Sequence, residues 1–242
     1  MAEGQPTYLY FVCSTHPRVG KTLIARLLIE FQHANERQVL GFDLGSDRPG
    51  LAAFLPELAT PAAINDVRSQ MALFEPLVRG DGVPKVVDVG HRALAPLFTI
   101  MRDVDFATAA DRRAVRPIVL YATAPGDQSV RGYAILRDQF PSFGFVPISN
   151  EAVVGEADVV PLYASTVSGA PVLQLPAASA DLQIQIDQQP CSLIGLHQLG
   201  EDAFEPGVWA ELDDWLRRCF RQMRELDVAL QMDDRGSSLG GR

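Results

Sequence analysis

The sequence is poor in cysteine. Three residues, Cys13, Cys191 and Cys219, are spread over 242 positions. No two stand at metal-ligand spacing, and an odd, dispersed set does not describe a disulfide framework. Long apolar runs are also missing. No stretch approaches the ~20 residues that a membrane-spanning helix needs. The opening stretch, MAEGQPTYLYFV, has neither a basic leader nor an extended apolar segment, so it does not read as a signal peptide. Positive charge is short as well. Lysine and arginine total 21 against 30 acidic residues, a formal net charge of −9. That balance argues against non-specific nucleic-acid binding by the surface as a whole. These absences lead to the expectation of a cytoplasmic protein without a direct membrane anchor.

What is present is material for a core. Apolar residues make up 47% of the chain, while glycine (19) and proline (17) are ordinary in number, unlike a disordered or fibrous protein. Short apolar runs recur at Tyr8 to Cys13, Gln38 to Leu44, Lys85 to Val89, Pro117 to Thr123, Phe143 to Ile148 and Pro171 to Leu175. They are bounded by turn-forming residues, as buried parallel strands are. Helical spacing lies between them. Lys21 to Phe31 is apolar at Leu23, Ile24, Leu27, Leu28 and Phe31. A second helix is expected from Thr60-Pro61, with Ile64, Val67, Met71, Phe74 and Val78 on one stripe and a stop at Gly80. Two more are expected at Arg92 to Val104, interrupted at Pro96, and at Asp127 to Phe140.

Leu182, Ile184 and Ile186 alternate, which suits a strand without excluding a helix. A long helix is expected near 207–232, followed by a flexible tail over 233–242. Strands alternating with helices predict one doubly wound α/β domain over 1–232, its sheet mainly parallel and its helices on both faces.

The densest chemistry lies between Thr15 and Thr22. A strand runs into a turn, and Gly20-Lys21-Thr22 opens a helix. A helix N-terminus presents unpaired N–H groups and the positive end of a dipole. Glycine lets the backbone approach phosphate oxygens. Lysine neutralises the β and γ phosphates, and the threonine hydroxyl can ligate Mg²⁺. The full P-loop pattern wants glycine where Thr15 stands. Context carries the reading: strand before, helix after, in the first βα unit.

This segment resembles the deviant P-loop of the ParA/MinD group of ATPases, in the wider SIMIBI class that includes nitrogenase iron protein. Their loop reads Lys-Gly-Gly-x-Gly-Lys-Thr. Here the same positions read His16-Pro17-Arg18-Val19-Gly20-Lys21-Thr22. The last three match. The two loop glycines and the signature lysine, which reaches across a dimer in the family, do not. Two readings of Arg18 stand: a cation whose planar fork replaces that lysine, or a surface residue. The resemblance makes Thr15 to Thr22 nucleotide-binding, with Lys21 also catalytic.

Later segments are similar to the group in order. Asp43 matches the first aspartate of the family's Asp-x-Asp segment. Gly45 occupies the place of the second, which orients the attacking water. Asp47 is either its catalytic substitute or a turn-former before Arg48-Pro49-Gly50. Lys85-Val86-Val87-Asp88 resembles the Walker B strand, so Thr22, Asp43 and Asp88 are the implied Mg²⁺ ligands. Asn150 resembles the adenine-contacting residue, and Pro176 the residue that packs on the base. No Asn-Lys-x-Asp motif is present, which favours adenine over guanine.

The resemblance implies a Mg²⁺-ATP (or ADP) protein, a nucleotide-dependent homodimer with slow hydrolysis, and a protein partner. Two alternatives stand beside this switch. One is a degenerate, non-hydrolysing nucleotide-binding or interaction module. The other is a small-molecule kinase or ligase-like enzyme of the same class.

Overall fold

The structure, a computed structural model, describes residues 6–45, 50–155, 163–170, 172–188 and 190–240, the last six as helix backbone. Seven strands form one sheet: β1 (Thr7–Cys13), β2 (Leu40–Leu44), β3 (Ala59–Pro61), β4 (Lys85–Val89), β5 (Val115–Ala122), β6 (Gly144–Asn150) and β7 (Leu173–Leu175). Their order is β3-β2-β4-β1-β5-β6-β7, and every neighbouring pair is parallel. The expected doubly wound α/β architecture is therefore present.

Period-two alternation divides the core between the two faces of the sheet. Tyr10, Val12, Ile118, Leu120, Val146 and Ile148 belong to one cluster. It is covered by α1 (Lys21–Ala34), α2 (Leu51–Phe54), α8 (Ala180–Ile186), α9 (Leu193–Gln198) and α10 (Val208–Gly240). Leu9, Phe11, Cys13, Val87, Val119 and Phe145 belong to the other. That face is covered by α3 (Val67–Leu77), α4 (Leu94–Asp103), α5 (Phe106–Asp111) and α6 (Asp127–Gln139), while the short α7 (Glu151–Val154) follows β6. No helix among the described residues is long and apolar enough to cross a membrane.

Several local expectations need correction. Thr60-Pro61 does not start a helix; it lies in β3, paired with β2. Gly41 permits this pairing, because a Cβ there would stand 2.8 Å from the Ala59 Cβ. The helix begins only at Val67, where the Asp66 carboxylate accepts from Ser69 N at 2.9 Å. Its buried face is Leu73 and Leu77, whereas Val67 and Met71 are 70% and 65% exposed. Pro96 does not interrupt α4, because it lies in the first turn, where no intrahelical N–H is required. Residues 180–186 resolve as helix, started by Ser179, whose hydroxyl accepts from Leu182 N.

The C-terminal helix runs further than expected: α10 continues to Gly240. Arg116 of β5 pairs with both Asp233 and Asp234, and the Tyr8 hydroxyl donates to Asp234. These contacts fasten the last turns of α10 to β1 and β5. Deleting residues 233–242 is therefore expected to cost about 1 kcal/mol, or roughly 2–4 °C in Tm. The loss should shrink at high salt. An unchanged Tm at low salt would show that the pairing contributes nothing.

Candidate functional site

The chain leaves β1 toward β2 on one side and β5 toward β6 on the other. Parallel sheets bind ligands beyond the carboxyl ends of their strands at such a reversal. The Ser14–Gly20 turn lies there, between β1 and α1. Gly20 caps α1 with φ 90, and a Cβ on it would stand 2.5 Å from Asn150 Nδ2. Glycine is thus required twice, for the left-handed backbone and for the close approach. No side chain caps α1 and no acidic residue occupies its first turn, so its N-terminus suits an anion. Lys21 is only 7% exposed, and its ammonium donates to the His16 carbonyl at 2.7 Å.

Behind the helix start lies a hydroxyl–carboxylate pair. Thr22 Oγ1 donates to Asp88 Oδ2 at 2.6 Å. Asp88 is 2% exposed, and burial pushes its carboxyl up to about 7. The Asp43 charge pushes the same way, while the Thr22 hydrogen bond and Lys21 oppose it. Asp43 and Asp88 are register partners on β2 and β4. Asp43 accepts from Gly45 N at 2.9 Å and from Ala52 N at 3.1 Å, which ties the end of β2 to α2. A Cβ on Gly50 would meet the Asp43 carboxylate at 2.2 Å. The oxygen donors of Thr22, Asp43 and Asp88 suit a hard cation. No group of three or more His, Cys, Asp or Glu among the described residues could hold a metal alone. Two carboxylates and one hydroxyl would leave most of such a cation's coordination to other oxygen donors.

The remaining expected residues divide. Val19 is buried, while Pro17 and Arg18 are exposed, with Arg18 left-handed at φ 55. Asn150 reaches the turn, donating to Val19 O at 3.3 Å, and its Oδ1 accepts from Ala152 N at 3.1 Å. Its amide therefore braces the turn and starts α7. Pro176 is buried, and its carbonyl accepts from Trp215 Nε1 at 2.9 Å. Asp47 lies outside the described residues.

Sequence reading missed Tyr121, whose hydroxyl stands 3.0 Å from Thr15 Oγ1. It also missed Arg26 and Glu30, buried on α1. The signal for that pair was present: two charges four residues apart on an otherwise apolar helix. No protein-family model matches the chain, and no curated protein matches it. The sheet order and the β1–α1 turn define a doubly wound α/β protein with its polar site at the carboxyl edge of the sheet.

Proposed function

We propose that this chain binds a nucleoside triphosphate, ATP by its resemblance to the ParA/MinD group, together with Mg²⁺ at the β1–α1 turn. The observation that carries the reading is the hydrogen bond from half-buried Thr22 to buried Asp88, directly behind Gly20-Lys21 at a helix start. A triphosphate there would be held by the Lys21 ammonium, and its Mg²⁺, held by the Thr22 hydroxyl, would offset the phosphate charge. The same reading makes the protein a nucleotide-dependent homodimerisation switch with slow hydrolysis. Gly45 favours the slow or non-hydrolysing end of that range, because it offers no carboxylate where the family orients water. In this structure its N–H is instead bonded to Asp43.

Calorimetric titration with ATP, ADP and GTP, with Mg²⁺ and with EDTA, tests the proposal. Wild type should bind ATP most tightly with Mg²⁺, and light scattering should then report a dimer. Thr22→Ala should lose most of the Mg²⁺ dependence, roughly tenfold for a hydroxyl ligand worth about 1.4 kcal/mol. Equal Mg²⁺ dependence in the variant would contradict the assignment of Thr22.

A further inference from the structure

Three hydroxyl and imidazole groups at the front of the turn form a chain whose direction can be deduced. The Tyr121 hydroxyl lies 2.9 Å from the Ser129 carbonyl, which can only accept, so the single phenol proton goes there. Burial pushes the Tyr121 phenol above its ordinary range, which keeps that proton on. Thr15 Oγ1, 3.0 Å from the Tyr121 oxygen, must then be the donor between them. With its own proton committed, Thr15 Oγ1 can only accept from His16 Nδ1, at 3.1 Å.

We propose that Tyr121 is a positioning residue for the phosphate turn: acting through Thr15, it holds neutral His16 as the Nδ1–H tautomer and leaves Nε2 as the ring's acceptor. The functional half of this inference rests on the nucleotide reading above.

The main chain of His16 is held as well. Its N–H donates to the Ser14 hydroxyl at 3.2 Å, and its carbonyl accepts from Lys21. The relay therefore ends on the residue that holds the lysine. The fit on the other side is close. A Cβ on Gly132 of α6 would stand 2.3 Å from Thr15 Cγ2 and 3.1 Å from the Tyr121 hydroxyl. Ser129 is fixed in turn, its hydroxyl accepting from Ala124 N at 3.1 Å. Thr15, where a standard P-loop has glycine, is thus the link that ties the turn to β5 and α6.

The test is nitrogen NMR of the labelled full chain at pH 8, where an ordinary imidazole is neutral. The His16 signals are assigned among the four histidines with His16→Asn. Wild type should show Nδ1–H. Tyr121→Phe and Thr15→Val should both shift His16 toward Nε2–H and weaken Mg²⁺-ATP about tenfold, the loss of one hydrogen bond. Circular dichroism checks that each variant is folded. The double variant should bind no more weakly than Thr15→Val alone, because both changes cut one chain. An Nε2–H wild type, or additive losses, would overturn the relay even if ATP binds. The expected tautomers in a wild type that binds no nucleotide would overturn the phosphate role and the nucleotide reading together.

Discussion

Asp88→Asn is expected to be more stable than wild type at pH 8 and to lose that advantage by pH 4. Burial comes first among the causes that raise the Asp88 carboxyl to about 7, with Asp43 adding to it. The native state therefore keeps a proton between about pH 4 and 7 that the unfolded chain has released. Stability falls as pH rises wherever the native state binds more protons. Across this window the loss is on the order of a few kcal/mol, at 1.36 kcal/mol per pKa unit. Asparagine carries no charge to bury, so the variant should show no such slope. Below pH 4 both side chains are neutral and the two proteins should converge. Denaturant unfolding at pH 4, 6 and 8 measures the difference directly. A constant difference across that range would show that Asp88 ionises normally. The same variant should bind Mg²⁺-ATP more weakly, exchanging function for stability.

Arg26→Leu is expected to be the most damaging change outside the site. Arg26 is 1% exposed, with Nη1 and Nη2 donating to the carbonyls of Ile186 and Cys191 at 2.7 and 3.1 Å. Its guanidinium lies 4.0 Å over the Phe54 ring. One turn later, Glu30 accepts from Ser192 Oγ, Leu193 N and Ile194 N, starting α9. Two charged residues of α1 thus pin α2, the end of α8 at Ile186 and the start of α9 at Ser192 to Ile194. Leucine would leave two carbonyls facing apolar atoms, at about 1–3 kcal/mol each, and would remove a cation–π contact worth about 1–2 kcal/mol. Together these come to about 3–8 kcal/mol, and the lower end alone corresponds to roughly 6–12 °C at this chain length. Lysine should rescue little, since a point charge cannot bond both carbonyls and also stack. A shift under 2 °C in the leucine variant would show that the contacts are replaceable.

These residues mark where sequence reading stops. The β1–turn–α1 unit and β4 were legible because each pattern is local: a continuous apolar run in β1, apolar spacing in α1, glycine before lysine. The doubly wound order followed from strands alternating with helices. The partners of the site were not legible. Tyr121 meets Thr15 across 106 positions, and in sequence it is one apolar residue of a buried strand. Arg26 breaks an apolar helix face, but the carbonyls that receive it, those of Ile186 and Cys191, lie 160 and 165 positions away. Strand β3 was hidden because Thr60-Pro61 has the chemistry of a helix start, and only pairing with Phe42 and Asp43 of β2 outweighs that preference. The end of α10 was obscured by glycine and serine near its close, whereas Asp233 and Asp234 find Arg116 far back in the chain.

The most direct test of a nucleotide site at Gly20-Lys21-Thr22 is thermal unfolding with ATP, ADP or GTP, with and without Mg²⁺, in wild type and Lys21→Ala. A ligand at about 100 times its Kd adds about 2.7 kcal/mol to the folded state, or roughly 5–10 °C at this chain length. A nucleotide site at this turn requires a Mg²⁺-dependent rise of that size with ATP in wild type and none in Lys21→Ala. No shift with any nucleotide at millimolar concentration, or an equal shift in the variant, would contradict it.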